Sequence, residues 1–211
     1  MKQLIIIGAR GFGREIYYLA QNSIGYLTDY EVKGYLDDKK DALEGYEGYP
    51  PIISSVEDYR VCSDDVFICA LGDPKYKKQY VNTIKEKGGC FLSLIHKKAN
   101  IIPTAKIGTG CIVFQNVTVS ADVVVGDFVT LQPMVFLGHD AKIGEWSHLN
   151  TNSVCNGYVE LGECVQIHTS AIVVPKIKIG NNSVVGAGSV VLRKVADNVT
   201  VFGNPAKKIF G

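Results

Sequence analysis

The second half of the chain places a hydrophobic residue at every sixth position. From residue 101 to residue 191 each of these positions is apolar, without interruption. The position four residues after each is also small or apolar, so the buried positions alternate at spacings of two and four. Residues two apart lie on one face of a β-strand, whereas a spacing of four requires a bend. The pattern predicts short strands joined by corners, as in a parallel β-solenoid.

A glycine repeat in the same region sets the number of strands in each coil. Gly108, Gly126, Gly144, Gly162 and Gly180 recur every 18 residues, which is once per three hexapeptides. Three strands per coil predict a triangular prism, with one coil for each of these five glycines between residues 107 and 196. Because glycine tolerates backbone conformations that other residues avoid, we expect these glycines to stack at one corner in an unusual conformation.

The first half of the chain has the pattern of a nucleotide-binding α/β unit. An apolar strand over residues 3–7 leads into the loop GARGFG at residues 8–13 and then into a helix over residues 14–21. Glycines let the backbone approach a phosphate, and the amides at a helix N-terminus favour negative charge. The glycine spacing is G-x-x-G-x-G, which differs from the dinucleotide-binding G-x-G-x-x-G.

Two further strands are predicted at residues 32–36 and 66–71, ending at Asp37-Asp38 and at Gly72. Ligands of open parallel sheets bind at the carboxyl ends of the strands, so these residues and the glycine loop should line one crevice. A βαβ unit with solvated aspartates and no ligand is the alternative. An NAD-type oxidoreductase is an alternative of another class, disfavoured by the shortness of this half and by the absence of any other domain except the solenoid.

Composition and charge exclude several classes of partner. The chain has 22 Lys and Arg against 21 Asp and Glu, and no basic block that would bind nucleic acid. The apolar run at residues 4–7 is too short for a signal peptide or a membrane span, which predicts a cytoplasmic protein without membrane insertion. The six cysteines form no C-x-x-C pair and have no histidine at zinc-finger spacing, so we expect reduced thiols and no metal site.

Two histidines occupy outward positions of the repeat. His139 stands third in its hexapeptide, at a corner directly before Asp140, and His148 stands sixth in the following one. Acyl transfer to an amine or alcohol needs a base, and histidine titrates near neutrality. A neighbouring carboxylate orients the imidazole and favours its charged form. The pair predicts a general base; an ordinary surface His–Asp pair and a solenoid without catalytic activity are the alternatives.

The order of these motifs resembles the sialic acid O-acetyltransferase family of hexapeptide-repeat acyltransferases, which includes the UDP-4-amino-sugar N-acetyltransferase of bacillosamine biosynthesis. The resemblance implies a Rossmann-like domain over residues 1–96 and a left-handed parallel β-helix over residues 97–211. It also implies a homotrimer that uses acetyl-CoA, bound between neighbouring β-helices. The motifs that carry it are the glycine loop, Asp37-Asp38, Ile95-His96, Gly138-His139-Asp140 and the terminal Gly203-Asn204-Pro205-Ala206-Lys207.

The same resemblance assigns roles to individual residues. His139 would be the general base and Asp140 its partner, where the bacillosamine enzyme has glutamate. Asp37 would contact the base or ribose, and Arg10, a serine in the bacillosamine enzyme, would close the pocket or contact a phosphate. The residues expected along acetyl-CoA are His148, Gly157, Thr169 and Ala187. The residues expected around the nucleotide sugar are Arg10, Gly11, Phe12, Asp37, Asp38 and Gly72.

The acceptor that the resemblance favours is a nucleotide-linked 4-amino sugar, N-acetylated in bacterial surface glycan biosynthesis. O-acetylation of sialic acid is the alternative. The nucleotide carrier, whether UDP, dTDP or GDP, stays open at this point.

Overall fold

The computed structural model describes residues 1–211 and divides into two compact units, Met1–Lys97 and Lys98–Gly211. The sequence predicted a division between residues 96 and 97. An α/β unit followed by a parallel β-helix confirms the predicted fold class. None of the helices combines the length and the apolar character that crossing a membrane requires.

The first unit is built on a five-stranded parallel sheet with two helices. Its elements are β1 (Lys2–Ile7), α1 (Gly11–Gln21), β2 (Tyr30–Leu36), β3 (Ile52–Ser54), β4 (Asp65–Cys69), α2 (Pro74–Glu86), β5 (Cys90–Phe91) and β6 (Leu94–Ile95). The sheet has the order β3-β2-β1-β4-β5 with every pair parallel. The order reverses between β1 and β4, and at such a switch point the carboxyl ends of the strands leave a crevice.

Strand β1 forms the centre of this unit's core. The side chains from Leu4 to Ile7 are all buried, because a central parallel strand is covered on both faces. Helix α1 packs Ile16 and Leu19 into the core, and α2 contributes Val81. Helix α1 begins at Gly11, three residues before the predicted start, so the glycine loop forms its first turn.

The second unit is a β-helix made of short strands. These are β7 (Asn100–Ile101), β8 (Lys106–Ile107), β9 (Ile112–Val113), β10 (Thr118–Val119), β11 (Val124–Val125), β12 (Thr130–Leu131), β13 (Phe136–Leu137), β14 (Lys142–Ile143), β15 (His148–Leu149), β16 (Val154–Cys155), β17 (Glu160–Leu161), β18 (Gln166–Ile167), β19 (Ile172–Val173), β20 (Lys178–Ile179), β21 (Val184–Val185), β22 (Val190–Val191), β23 (Thr200–Phe202) and β24 (Lys207–Phe210).

These strands form three faces. The first face holds β7 and every third strand up to β22, and the second holds β8 and every third strand up to β20. The third face holds β9 and every third strand up to β21, followed by β23 and the antiparallel β24. From β7 to β21, the strands within each face pair in parallel at a spacing of 18 residues, as Leu137 pairs with Cys155, whereas β23 follows β21 at a spacing of 16. The interior follows the predicted two-and-four spacing, since Leu137, Ala141 and Ile143 are all buried.

The corners of the β-helix differ from the prediction. A φ near +60° recurs at every sixth residue from Asn116 to Asn182, including Asp140 and Trp146, whereas none of the five repeated glycines has a positive φ. This residue is the second central residue of a corner turn, the place where a type II turn needs positive φ. The conformational reason expected for the glycine repeat is therefore wrong.

The repeated glycines are explained by close stacking of successive coils. A Cβ on Gly144 would overlap the carbonyl group of Gly162 in the next coil. That neighbour is backbone, held by its own coil's hydrogen bonds, so it has little freedom to move. The 18-residue glycine repeat thus marks the corner at which two backbones approach too closely for a side chain.

We expect Gly144→Ala to lower the free energy of unfolding by about 1–3 kcal/mol, because the added methyl group must displace backbone. Urea unfolding followed by circular dichroism measures the change. Gly72→Ala is the matched control, since a Cβ at Gly72 has no atom within 4 Å and its φ is not positive. Equal unfolding midpoints for the two variants would refute the stacking explanation.

Candidate functional site

A cavity of about 450 Å³ opens at the carboxyl ends of β1, β2 and β4, at the switch point of the sheet. Strand ends supply apolar lining from Ile7, Leu36 and Ala70. Its volume lies in the range of small-molecule sites, which combine apolar walls with a few polar groups. Five of the six residues predicted for the nucleotide sugar line it, namely Arg10, Phe12, Asp37, Asp38 and Gly72.

The sixth predicted residue, Gly11, lines a separate and more open depression of about 670 Å³. Arg10 lines both cavities, and Arg14 and Lys39 add positive charge to the second. Asp41 and Glu44 also line the second, and Asp41 lies 3.6 Å from the Lys39 ammonium, so Arg10 and Arg14 are the cations without a carboxylate partner there. The guanidinium of Arg14 lies 3.5 Å from the ring centroid of Tyr46, a cation–π contact that holds it in place. Cationic side chains therefore stand beside the first turn of α1.

The four glycines around this site have different physical roles. Gly8 has a φ of +96°, and a Cβ on Gly13 would overlap the carbonyl oxygen of Gly8, so both are required by the loop itself. A Cβ on Gly11 would come no closer than 4.0 Å to any atom, and one on Gly72 would meet nothing within 4 Å. These two glycines leave open space at the cavities, which a ligand approaching the backbone requires.

The start of α1 is suited to an anion. The helix begins without a side-chain cap, because Arg10 at the N-cap accepts no hydrogen bond through its side chain. The first amides of a helix have no partner within the helix and carry partial positive charge. Phosphate is the ligand group that this end of α1 and Arg10 would stabilise together.

The three carboxylates that line the first cavity are held differently. Asp37 accepts hydrogen bonds from the amides of Ala9 and Lys39, at 2.8 and 2.9 Å, one on each oxygen. Asp73 caps α2 and accepts from an amide of its first turn at 2.8 Å. Asp38 instead accepts a hydrogen bond from the hydroxyl of Tyr80 at 2.6 Å. Asp37 thus ties the glycine loop to the end of β2.

Two tyrosines of α2 line the cavity and were missed in the sequence. Tyr76 and Tyr80 are four residues apart and share one side of the helix. The pKa of Tyr80 is raised to about 12, mainly by the hydrogen bond to Asp38 and to a lesser extent by burial. The sequence does hold a helix signal here, because Asp73 at the N-cap precedes Pro74 at the first helical position.

The second site lies at the corner between the first and second faces of the β-helix. His139 Nδ1 and Asp140 Oδ2 are 2.8 Å apart. A carboxylate accepts hydrogen bonds, so Nδ1 carries a proton, and in the neutral imidazole Nε2 then carries the lone pair. The two side chains are 59% and 41% exposed, so the pair is open to an approaching substrate. The arrangement is that of a base with an orienting carboxylate.

The corner geometry explains why adjacent residues meet. Successive side chains of a straight strand point to opposite faces, whereas the φ of +59° at Asp140 turns the chain and brings its carboxylate onto His139. Gly157 lies one coil further on, where a Cβ would come within 2.7 Å of His139 Nε2. Tyr158 contacts the imidazole edge-on, with ring centroids 5.1 Å apart. Tyr158 was missed, although it follows Asp140 by the 18-residue period.

The residues predicted along acetyl-CoA fall into two groups. Gly157 lies with His139 at the corner between the first and second faces. His148 lies in β15 on the third face, and the exposed Thr169 and Ala187 lie at the corner that follows this face, one coil apart. In a triangular coil the third face is opposite the corner of His139. One chain therefore does not bring His139 and His148 together.

Comparison with known proteins gives matches in both halves of the chain. The family model described as the PglD N-terminal domain matches residues 3–84, and the model of bacterial transferase hexapeptide repeats matches residues 158–193. Among curated proteins, the GDP-perosamine N-acetyltransferase of Escherichia coli O157:H7 is 26% identical over 150 residues, which cover 68% of this chain and 67% of that protein.

Solved structures match the chain along its whole length. The acetyltransferase domain of PglB from Neisseria gonorrhoeae, in complex with acetyl coenzyme A, superposes with a TM-score of 0.88 at 27% identity and covers 99% of both chains. PerB from Caulobacter crescentus, in complex with CoA and GDP-perosamine, has a TM-score of 0.89 at 25% identity. The match to PerB covers 100% of this chain and 98% of that one.

Proposed function

We propose that this chain is a hexapeptide-repeat acyltransferase with a PglD-type N-terminal domain, and that it transfers the acetyl group of acetyl-CoA to the amino group of a nucleotide-linked 4-amino sugar. The observation that carries the proposal is the exposed pair of His139 and Asp140, with Nε2 directed away from the carboxylate. Relatives that are N-acetyltransferases of amino sugars support the choice of acceptor.

His139 acts as the general base in this reaction. The acceptor nitrogen attacks the thioester carbonyl carbon while Nε2 takes a proton from that nitrogen. The resulting intermediate collapses with cleavage of the carbon–sulfur bond, and the proton held by His139 is available to the departing CoA thiolate. Asp140 keeps Nδ1–H oriented and stabilises the imidazolium that forms.

The first unit holds the acceptor by its nucleotide. The apolar lining at the strand ends suits the nucleoside, and the diphosphate is stabilised by the N-terminus of α1 together with Arg10, which lines both cavities. Gly11 and Gly72 leave the space that the ligand needs. The role of Arg10 is thus a phosphate contact rather than closure of the pocket.

Acetyl-CoA binds where two copies of the chain meet, in a homotrimer. His139 stands on a convex corner and is more than half exposed, whereas binding sites are concave and partly dry. His148, Thr169 and Ala187 lie away from that corner in the same chain and are supplied by a neighbouring copy. The first face also exposes Phe136 and Ile172, apolar side chains of the kind that association covers.

The test is an acetyl-transfer assay read by mass spectrometry. The chain is incubated with acetyl-CoA and, separately, with UDP-, GDP- and dTDP-linked 4-amino sugars and with sialic acid. We expect one acetyl group on the amine of at least one nucleotide sugar and none on the matched 4-hydroxy sugar. Acetylation of sialic acid alone would support the O-acetyltransferase alternative. Failure of every acceptor would contradict the proposed function.

A further inference from the structure

The carboxylates at the first cavity differ in what they still offer a ligand. Each oxygen of Asp37 is directed at a backbone amide, and Asp73 is the cap of α2. Asp38 is exposed at the cavity, and its Oδ2 accepts from the side chain of Tyr80. Asp38 is therefore the carboxylate whose orientation depends on another side chain of the cavity rather than on the local backbone.

We propose that Asp38 contacts the ribose of the nucleotide carrier, that Tyr80 is its positioning residue, and that the chain consequently prefers ribonucleotide over 2′-deoxyribonucleotide carriers. This inference rests on the proposed function, since it names the carrier class of the same acceptor. It assigns to Asp38 the contact that the sequence placed on Asp37.

Ribose is the chemical partner that fits this carboxylate. A carboxylate accepts hydrogen bonds, so its ligand must donate them. Phosphates at neutral pH offer acceptors, whereas the base offers N–H donors and the ribose 2′- and 3′-hydroxyls offer two adjacent donors, so the position of the carboxylate in the fold decides between base and ribose. An acidic residue just after the second strand of a doubly wound sheet stands where such folds bind ribose hydroxyls. Asp38 occupies this place, two residues beyond the end of β2.

Tyr80 fixes how Asp38 is presented. Its hydroxyl donates to Oδ2 at 2.6 Å, which restricts the rotation of an exposed side chain and makes Oδ1 the oxygen left for a ligand. With its pKa raised to about 12, Tyr80 remains protonated at neutral pH and donates this hydrogen bond. Loss of this hydroxyl would leave Asp38 in place but free to rotate.

Calorimetry on the full chain tests the inference with two pairs of ligands, UDP with 2′-deoxy-UDP and GDP with 2′-deoxy-GDP. We expect each ribonucleotide to bind about tenfold more tightly than its deoxy partner, the effect of one hydrogen bond to a charged group. In Tyr80→Phe and in Asp38→Asn, the ratio of the dissociation constants of the deoxy and ribo ligands should fall towards one. In steady-state assays both should raise KM for the nucleotide sugar and change kcat little.

Tyr76→Phe is the matched control, because Tyr76 lines the same cavity from the preceding turn of α2. This variant should keep the ribose preference. The double variant of Tyr80 and Asp38 should match the single variants, since both changes remove one contact.

The outcomes separate the inference from the proposed function. Tight binding with no difference between ribo and deoxy ligands overturns the inference and leaves the proposed function standing. If Tyr80→Phe retains the preference for ribo over deoxy ligands, Tyr80 does not position Asp38, even if that variant melts at a lower temperature. If UDP and GDP differed in affinity while each bound as tightly as its deoxy partner, Asp38 would contact the base and the inference would be wrong. No binding of any nucleotide contradicts the inference and the proposed acceptor together.

Discussion

Replacing His139 by alanine is expected to lower turnover by roughly two to four orders of magnitude, the usual contribution of a general base. The affinity for acetyl-CoA should change little, because the substitution removes the group that accepts the proton rather than a wall of the CoA site. Steady-state kinetics gives the turnover, and calorimetry with acetyl-CoA gives the affinity.

Two further variants make this result specific. Asp140→Asn should lose less activity than His139→Ala, because the imidazole remains but loses its charged partner at 2.8 Å. Lys142→Ala is the matched control, since Lys142 is an exposed residue on the adjacent strand of the same coil and should retain turnover. Near-normal acetyl transfer by His139→Ala would refute the assignment of the base.

The β-helix was predictable because every coil repeats the same six-residue spacing of apolar side chains. Each hexapeptide buries the same two places, so a six-residue spacing of apolar side chains determines both the strands and their register. The backbone at the corners was not predictable from glycine. Residues such as Trp146 adopt positive φ there, because the stacked coils and their hydrogen bonds outweigh the local preference of the side chain.

The α/β unit was predicted less completely, because its elements do not repeat along the chain and two of its strands are short. The strands β3 and β5 have three and two residues, too few to show a period. Helix α2 was overlooked despite the cap at Asp73, and with it Tyr80, whose contact with Asp38 spans 42 positions in the sequence. Contacts over that distance follow from the strand order, which no local pattern encodes.

For the catalytic pair the sequence was informative, since neighbours at a corner can meet. That the residues predicted along acetyl-CoA lie on different sides of the β-helix becomes visible only when each residue is assigned to one of the three faces. His139 and His148 are nine residues apart, which is half of an 18-residue coil, and half a coil places them on opposite sides of the β-helix. This separation is the reason that the proposed site needs a second copy of the chain.

Mixing two impaired variants is expected to restore activity if neighbouring copies share the site. His139→Ala and His148→Ala are co-expressed with different tags, and trimers carrying both tags are isolated in two affinity steps. In a closed ring of three copies with head-to-tail contacts, every mixed trimer regains one intact site, so turnover should reach about a third of the unsubstituted enzyme. Trimers of either variant alone contain no intact site.

The turnover of these mixed trimers tests most directly the claim that acetyl transfer occurs at a site completed by two copies. A shared site predicts about a third of normal turnover in the mixed trimers, at most a few per cent in trimers of His139→Ala, and turnover below that of the mixed trimers in trimers of His148→Ala. Mixed trimers as inactive as the two parents would contradict it, because His139 and His148 would then have to act within one chain. A monomer in light scattering would contradict it as well.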